Sequence, residues 1–80
     1  MLDENALRVF VKEGKTVSMD NLNYSEKLAL NLIAWGRKKG LKIRELKDWY
    51  LAVSQSPFQD DIDKNVLEIL EAATKIESES

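Results

Sequence analysis

Residues 28–35, Leu28-Ala29-Leu30-Asn31-Leu32-Ile33-Ala34-Trp35, are apolar on nearly every side of a helix, and signals mark both ends of that helix. Asn23 and Glu26 have the spacing of a capping box, with Asn in place of the usual Ser or Thr. Gly40 supplies a C-terminal stop, while Arg37, Lys38 and Lys39 suit the negative end of the helix dipole. The pattern predicts a helix over residues 24–39. Such a helix must be covered on several sides, so the rest of the chain is expected to pack around it.

Two further helices follow. Ile43, Leu46, Tyr50 and Val53 form one stripe over residues 43–55, with Trp49 beside it. Ser56 can cap the next helix, Pro57 suits its first position, and Gln59 completes a capping box. Ile62, Val66, Ile69, Leu70, Ala73 and Ile76 then recur at helical spacing. Asp60, Asp61 and Asp63 fall in its early turns, where the dipole favours carboxylates. Residues 77–80 are expected to be a frayed polar tail.

The N-terminal part has two readings. Leu7-Arg8-Val9-Phe10-Val11 alternates and is rich in β-formers, and Lys12-Glu13-Gly14 can make a three-residue loop. The resulting hairpin over residues 7–19 sets Val9 opposite Val17 and Leu7 opposite Met19. In the alternative, Asp3 caps a short helix, Leu2 and Leu7 staple it, and Gly14 ends it. The β-branched Val9 and Val11 favour the strand. The expected fold is therefore mainly α: an N-terminal β-hairpin or short helix, then a three-helix bundle. Its core is drawn from Leu32, Trp35, Leu46, Trp49, Val66 and Leu70.

With 80 residues, the chain is sized for a single domain, residues 1–80, that buries only about 60% of its unfolded surface. A dimer would increase that burial. There is no Cys and no His, which removes the thiolate nucleophile, most zinc sites and the commonest general base. There is also no glycine-rich phosphate loop after a strand, so neither an enzyme nor a bound cofactor is expected. Asp61-Ile62-Asp63-Lys64-Asn65 begins like a calcium loop but continues with Val66 in place of the turn glycine and Ala72 in place of the closing Glu, so no metal is assigned. No apolar run reaches about 18 residues and the N-terminus is acidic, which predicts a cytoplasmic protein with no membrane partner.

Charge is unevenly placed. Residues 25–56 carry seven basic and three acidic groups, whereas residues 57–80 carry two basic and seven acidic. Half of the twelve Lys and Arg residues fall within residues 36–47: Arg37, Lys38, Lys39, Lys42, Arg44 and Lys47. Gly36 and Gly40 stand four apart there, followed by apolar Leu41, Leu46 and Trp49. Over residues 32–51 this resembles a helix-turn-helix. Lys39 departs from that pattern, which usually has an apolar residue before the turn glycine. The resemblance implies that Arg37, Lys38, Lys39 and Lys42 contact phosphates, with Arg44 and Lys47 nearer to bases. A ribbon-helix-helix, with Thr16-Val17-Ser18-Met19 as the strand, is similar too but needs a shorter loop.

Two functions are expected from these features. The first is a small DNA-binding transcriptional regulator of phage or plasmid type, dimeric, holding double-stranded DNA through the basic corner 37–47. The second is a protein-interaction module, or an inhibitor resembling an antitoxin, that contacts no nucleic acid. In that reading the acidic third helix, through Glu68 and Glu71, or the aromatic residues Tyr50 and Phe58 meet a partner, the helix favouring a basic protein. Trp35 and Trp49 are assigned to the core.

Overall fold

A computed structural model describes residues 2–14, 20, 22–53 and 61–79. Among them it contains four helices and no strand: α1 (Glu4–Glu13), α2 (Tyr24–Lys39), α3 (Ile43–Val53) and α4 (Asp61–Ser78). The mainly helical expectation therefore holds, and the bundle has one more helix than the three expected after a hairpin.

The hairpin reading is corrected, because Leu7–Val11 lies in α1 and not in a strand. Asp3 is extended and its Oδ1 accepts the Ala6 N–H at 2.6 Å. Gly14 closes the helix at φ 70°, its N–H donating to the Phe10 carbonyl at 3.1 Å. Between these caps Leu7, Phe10 and Val11 are buried while Val9 faces solvent. That is the i, i+3, i+4 spacing of a helix face; a strand would have put Leu7 and Val9 on the same side. Burial of that face against α4 outweighs the β-preference of the two valines. Residues 15–19, the other half of the expected hairpin, lie outside the described residues.

Helix α2 has the expected bounds. Asn23 Oδ1 accepts the Glu26 N–H at 2.9 Å, and the Glu26 carboxylate accepts the Asn23 N–H at 3.0 Å. At its other end Gly40 adopts φ 76°. Its N–H donates to Arg37 O at 3.1 Å, and the Leu41 N–H donates to Gly36 O at 2.8 Å, the two bonds of a Schellman motif.

The central element is α4, which packs against each of the other three helices; α2 also packs against α3. Val66, Leu70, Ala73 and Ile76 form its inner stripe and meet Leu30 and Ile33 of α2, Ile43 and Tyr50 of α3, and Leu7 and Phe10 of α1 in one cluster. Ser56, Pro57 and Gln59, expected to start this helix, lie outside the described residues, as do the side chains of Asp61 and Ile62. At the other end the helix runs on through Glu77 and Ser78, into the expected polar tail, and Glu79 pairs with Arg8 and Lys12 of α1.

Of the six expected core residues, Leu46, Val66 and Leu70 are buried and Leu32 is partly so. Trp35 and Trp49 are not core: they are 40% and 42% exposed. Successive residues of a helix are turned by about 100°. The inner face of α2 is already made by Ala29, Leu30, Ile33 and Gly36, which leaves Trp35 on the far side.

Candidate interaction surface

The corner between α2 and α3 is built on two glycines with different duties. Gly40 makes the left-handed stop. Gly36 lets α3 approach, because a Cβ at that position would lie 2.4 Å from Leu46 Cδ1. This close approach brings the outer edges of α2 and α3 together.

Of the six basic residues, one is engaged within the fold. Arg37 turns inward to α1, where its guanidinium donates to the carbonyls of Phe10, at 2.8 Å, and Val11. These carbonyls lie at the C-terminal end of α1, where the Phe10 oxygen also accepts the Gly14 N–H, so Arg37 adds to the cap of that helix by hydrogen bond and by charge. Lys39, two residues on, projects about 160° away from it. Lys42 and Arg44 line a shallow depression with Thr74, Glu77 and Ser78 of α4. Lys47 is half-buried. Among the described residues no carboxylate pairs with Lys38, Lys39, Lys42, Arg44 or Lys47.

The start of α3 is also occupied. Lys42 precedes the helix and has no acceptor side chain with which to cap it. The Glu77 carboxylate reaches across from α4 and accepts the Ile43 N–H at 3.1 and 3.3 Å. In a helix-turn-helix this end of the second helix faces base edges. Here it faces a carboxylate of its own chain.

The aromatic residues are placed differently from expectation. Tyr50, expected to anchor a partner, is only 8% exposed, and its hydroxyl donates to Asp63 of α4. The stripe Ile43-Leu46-Tyr50 points it into the bundle. Phe58 lies outside the described residues. The exposed aromatics among the described residues are instead Tyr24, Trp35 and Trp49, and the ring centroids of the two tryptophans are 5.4 Å apart with planes tilted by 34°. Tyr24, Leu28 and Leu32 precede Trp35 at helical spacing, Tyr24 being exposed and the two leucines half-buried. Val53, one turn after Trp49 on α3, is exposed as well. Together these residues form a continuous apolar strip along the α2–α3 edge, of the kind that marks contact surfaces. The sequence carried its signal, since α2 is apolar on both of its faces while only one can meet α4.

The acidic side of α4 is a second feature. Glu68 and Glu71 are exposed as expected. Glu68 borders a groove between α1 and α4 whose floor includes Leu2, Leu7, Ile69 and Ile76. Glu79, on the same border, bonds to Arg8, which holds its carboxyl below the usual range and raises the Arg8 pKa in turn. Glu26 is buried, and its carboxyl is held below the ordinary value of 4.5 by the Asn23 N–H, against the opposing effect of burial, with help from the Leu2 N–H. No described helix is long and apolar enough to cross a membrane. No protein-family model, curated protein or solved structure matches the chain.

Proposed function

We propose that this chain is a protein-interaction module whose contact surface is the α2–α3 edge. The observation that supports it is the Trp35–Trp49 pair: two large aromatic rings, in tilted contact with each other and each about two-fifths exposed. Tryptophan is the residue most enriched where binding energy concentrates, and leaving two of them wet costs solvation free energy that a partner would recover. The strip through Tyr24, Leu28, Leu32 and Val53 extends that area along both helices. The exposed Glu68 and Glu71 make α4 a second contact for a basic partner.

DNA binding is the second reading. It is favoured by the free ammonium groups of Lys38 and Lys39. It ranks lower because Arg37 is spent on α1 and Glu77 sits at the start of α3, where bases would have to approach.

A photo-cross-linking residue at position 31, exposed one turn before Trp35 on the same face of α2, tests the proposal in cells that make the protein and leaves both tryptophans in place. A discrete protein adduct that disappears when Trp49 is also changed to Ala is the expected result. Absence of any adduct, together with salt-sensitive binding to duplex DNA that falls on K38A/K39A substitution, would replace it with the DNA reading.

A further inference from the structure

Resting on that interaction reading, we infer that the partner presents an acidic amphipathic helix to the α2–α3 edge. The outward face of α2 carries Tyr24, Lys27, Leu28, Asn31, Leu32, Trp35, Lys38 and Lys39. Its one acidic residue, Glu26, is buried and committed to the backbone N–H groups of Asn23 and Leu2. The exposed face of this helix is thus apolar along its middle and cationic along its borders, without a carboxylate. Lys38 and Lys39 stand three and four residues after Trp35, so one turn places both ammonium groups beside the ring.

The strip from Tyr24 to Trp35 is roughly 16 Å long, the length of about three helical turns. A partner helix with apolar residues at i, i+3 or i+4, i+7 and i+11 would cover it, and carboxylates flanking those residues would meet the lysines. Each carboxylate would pair with a cation that has no acidic neighbour of its own among the described residues.

Other occupants fit less well. A second copy docked symmetrically by this face would set lysines against lysines. An anionic bilayer would bury the Asn31 amide, midway along the strip, in hydrocarbon that offers it no hydrogen bond. A nucleic acid would use the lysines and leave the apolar strip uncovered.

Trp35 and Trp49 are the only tryptophans in the chain, so intrinsic fluorescence reads this surface directly. The probes are two synthetic helices of about 18 residues with the same leucine pattern, one flanked by Glu and the other by Lys. The Glu peptide is expected to shift the emission to the blue and saturate, and its affinity to fall about tenfold or more in K38E/K39E. The K38R/K39R variant, which keeps the charge, should bind as the parent does. Equal binding of both peptides, preference for phosphatidylglycerol vesicles, or no shift overturns the charge assignment. A cross-linked partner without an acidic helix also overturns it, while leaving the interaction reading intact; absence of any adduct at position 31 removes that reading itself.

Discussion

Gly36 and Leu46 are in such close contact that no other residue fits at position 36 without displacing a fully buried side chain. The nearest atoms to an added Cβ would be Leu46 Cδ1 at 2.4 Å, Cδ2 at 2.7 Å and Cγ at 2.8 Å. Alanine would gain about 1 kcal/mol of helix propensity over glycine. Overpacking of this kind costs about 1–3 kcal/mol, so G36A should be neutral to destabilising and G36V clearly destabilising. The cause can be isolated by a double-mutant cycle: L46A alone should cost about 2–5 kcal/mol by cavity formation, and G36A should cost less in that background than in the parent. Urea unfolding of the four proteins measures this. Equal penalties for G36A in both backgrounds would show that Leu46 is not the obstacle.

Arg37 has a structural duty that sets it apart from the lysines beside it. Its guanidinium donates to two carbonyls at the end of α1. A hydrogen bond from a charged group contributes about 1.5–3 kcal/mol when protected, and less at a site open to water. R37A should cost about 1–2 kcal/mol, with faster hydrogen exchange concentrated in α1. R37K should recover only part of this, because an ammonium cannot reproduce the planar fork. K38A and K39A should stay within about 0.5 kcal/mol of the parent. If Arg37 were an anion contact alone, all three substitutions would leave α1 equally protected.

Local signals were readable and long-range ones were not. The capping box at Asn23 and Glu26, the stop at Gly40 and the stripe from Val66 to Ile76 each lie within a few residues of chain, and the structure keeps all of them. Leu7–Val11 satisfied two periods at once. The choice between them was made by the Asp3 cap and by α4, far away in sequence. The tryptophans were misassigned because α2 is apolar on two faces and nothing local says which one α4 covers. Arg37 and Glu77 each cap a helix other than their own, at separations of 26 to 34 residues, and no spacing rule reaches that far.

Glu77 offers a direct test of such a long-range cap. Its carboxylate accepts the first N–H of α3, a position that Lys42 leaves without a side-chain acceptor. Loss of an N-terminal cap costs about 0.5–2 kcal/mol, and E77A should fall in that range. Because Lys42 and Arg44 border the same depression, E77A also makes the corner more positive. If the second reading of function were correct, E77A would strengthen binding to duplex DNA at low salt. The interaction reading expects no such gain, so one variant measured for stability and for DNA affinity bears on both questions.

The buried Glu26 should give the protein an acid-sensitive component of stability. Its folded-state pKa lies below the ordinary 4.5, chiefly because it accepts the Asn23 N–H. In the window between those two values the unfolded chain binds the proton that the folded chain refuses. The stabilisation is therefore fully present above the ordinary value and is lost as pH falls through the folded-state value. Gln can also complete a capping box, so E26Q keeps the cap geometry while removing the charge. The parent should lose more stability than E26Q between about pH 5 and pH 3. Parallel losses in thermal melts at the two pH values would assign the acid sensitivity to other carboxylates.

The tryptophan pair makes the final prediction, which separates a surface from a core. A fully buried Trp replaced by Ala costs about 3–5 kcal/mol, through lost burial and the cavity left behind. Trp35 and Trp49 are each about two-fifths exposed and are in contact with one another. W35A should therefore cost about 1–2 kcal/mol, near the value of an aromatic pair plus partial burial. W49A should behave alike, and the double variant should cost less than the sum of the two, because the second truncation finds the contact already gone. Acrylamide should quench both indoles in the free protein and should lose access to them once a partner covers the edge. A cost typical of core residues, with additive singles and indoles shielded in the free protein, would mean that these rings belong to the interior and that the module's contact surface lies elsewhere.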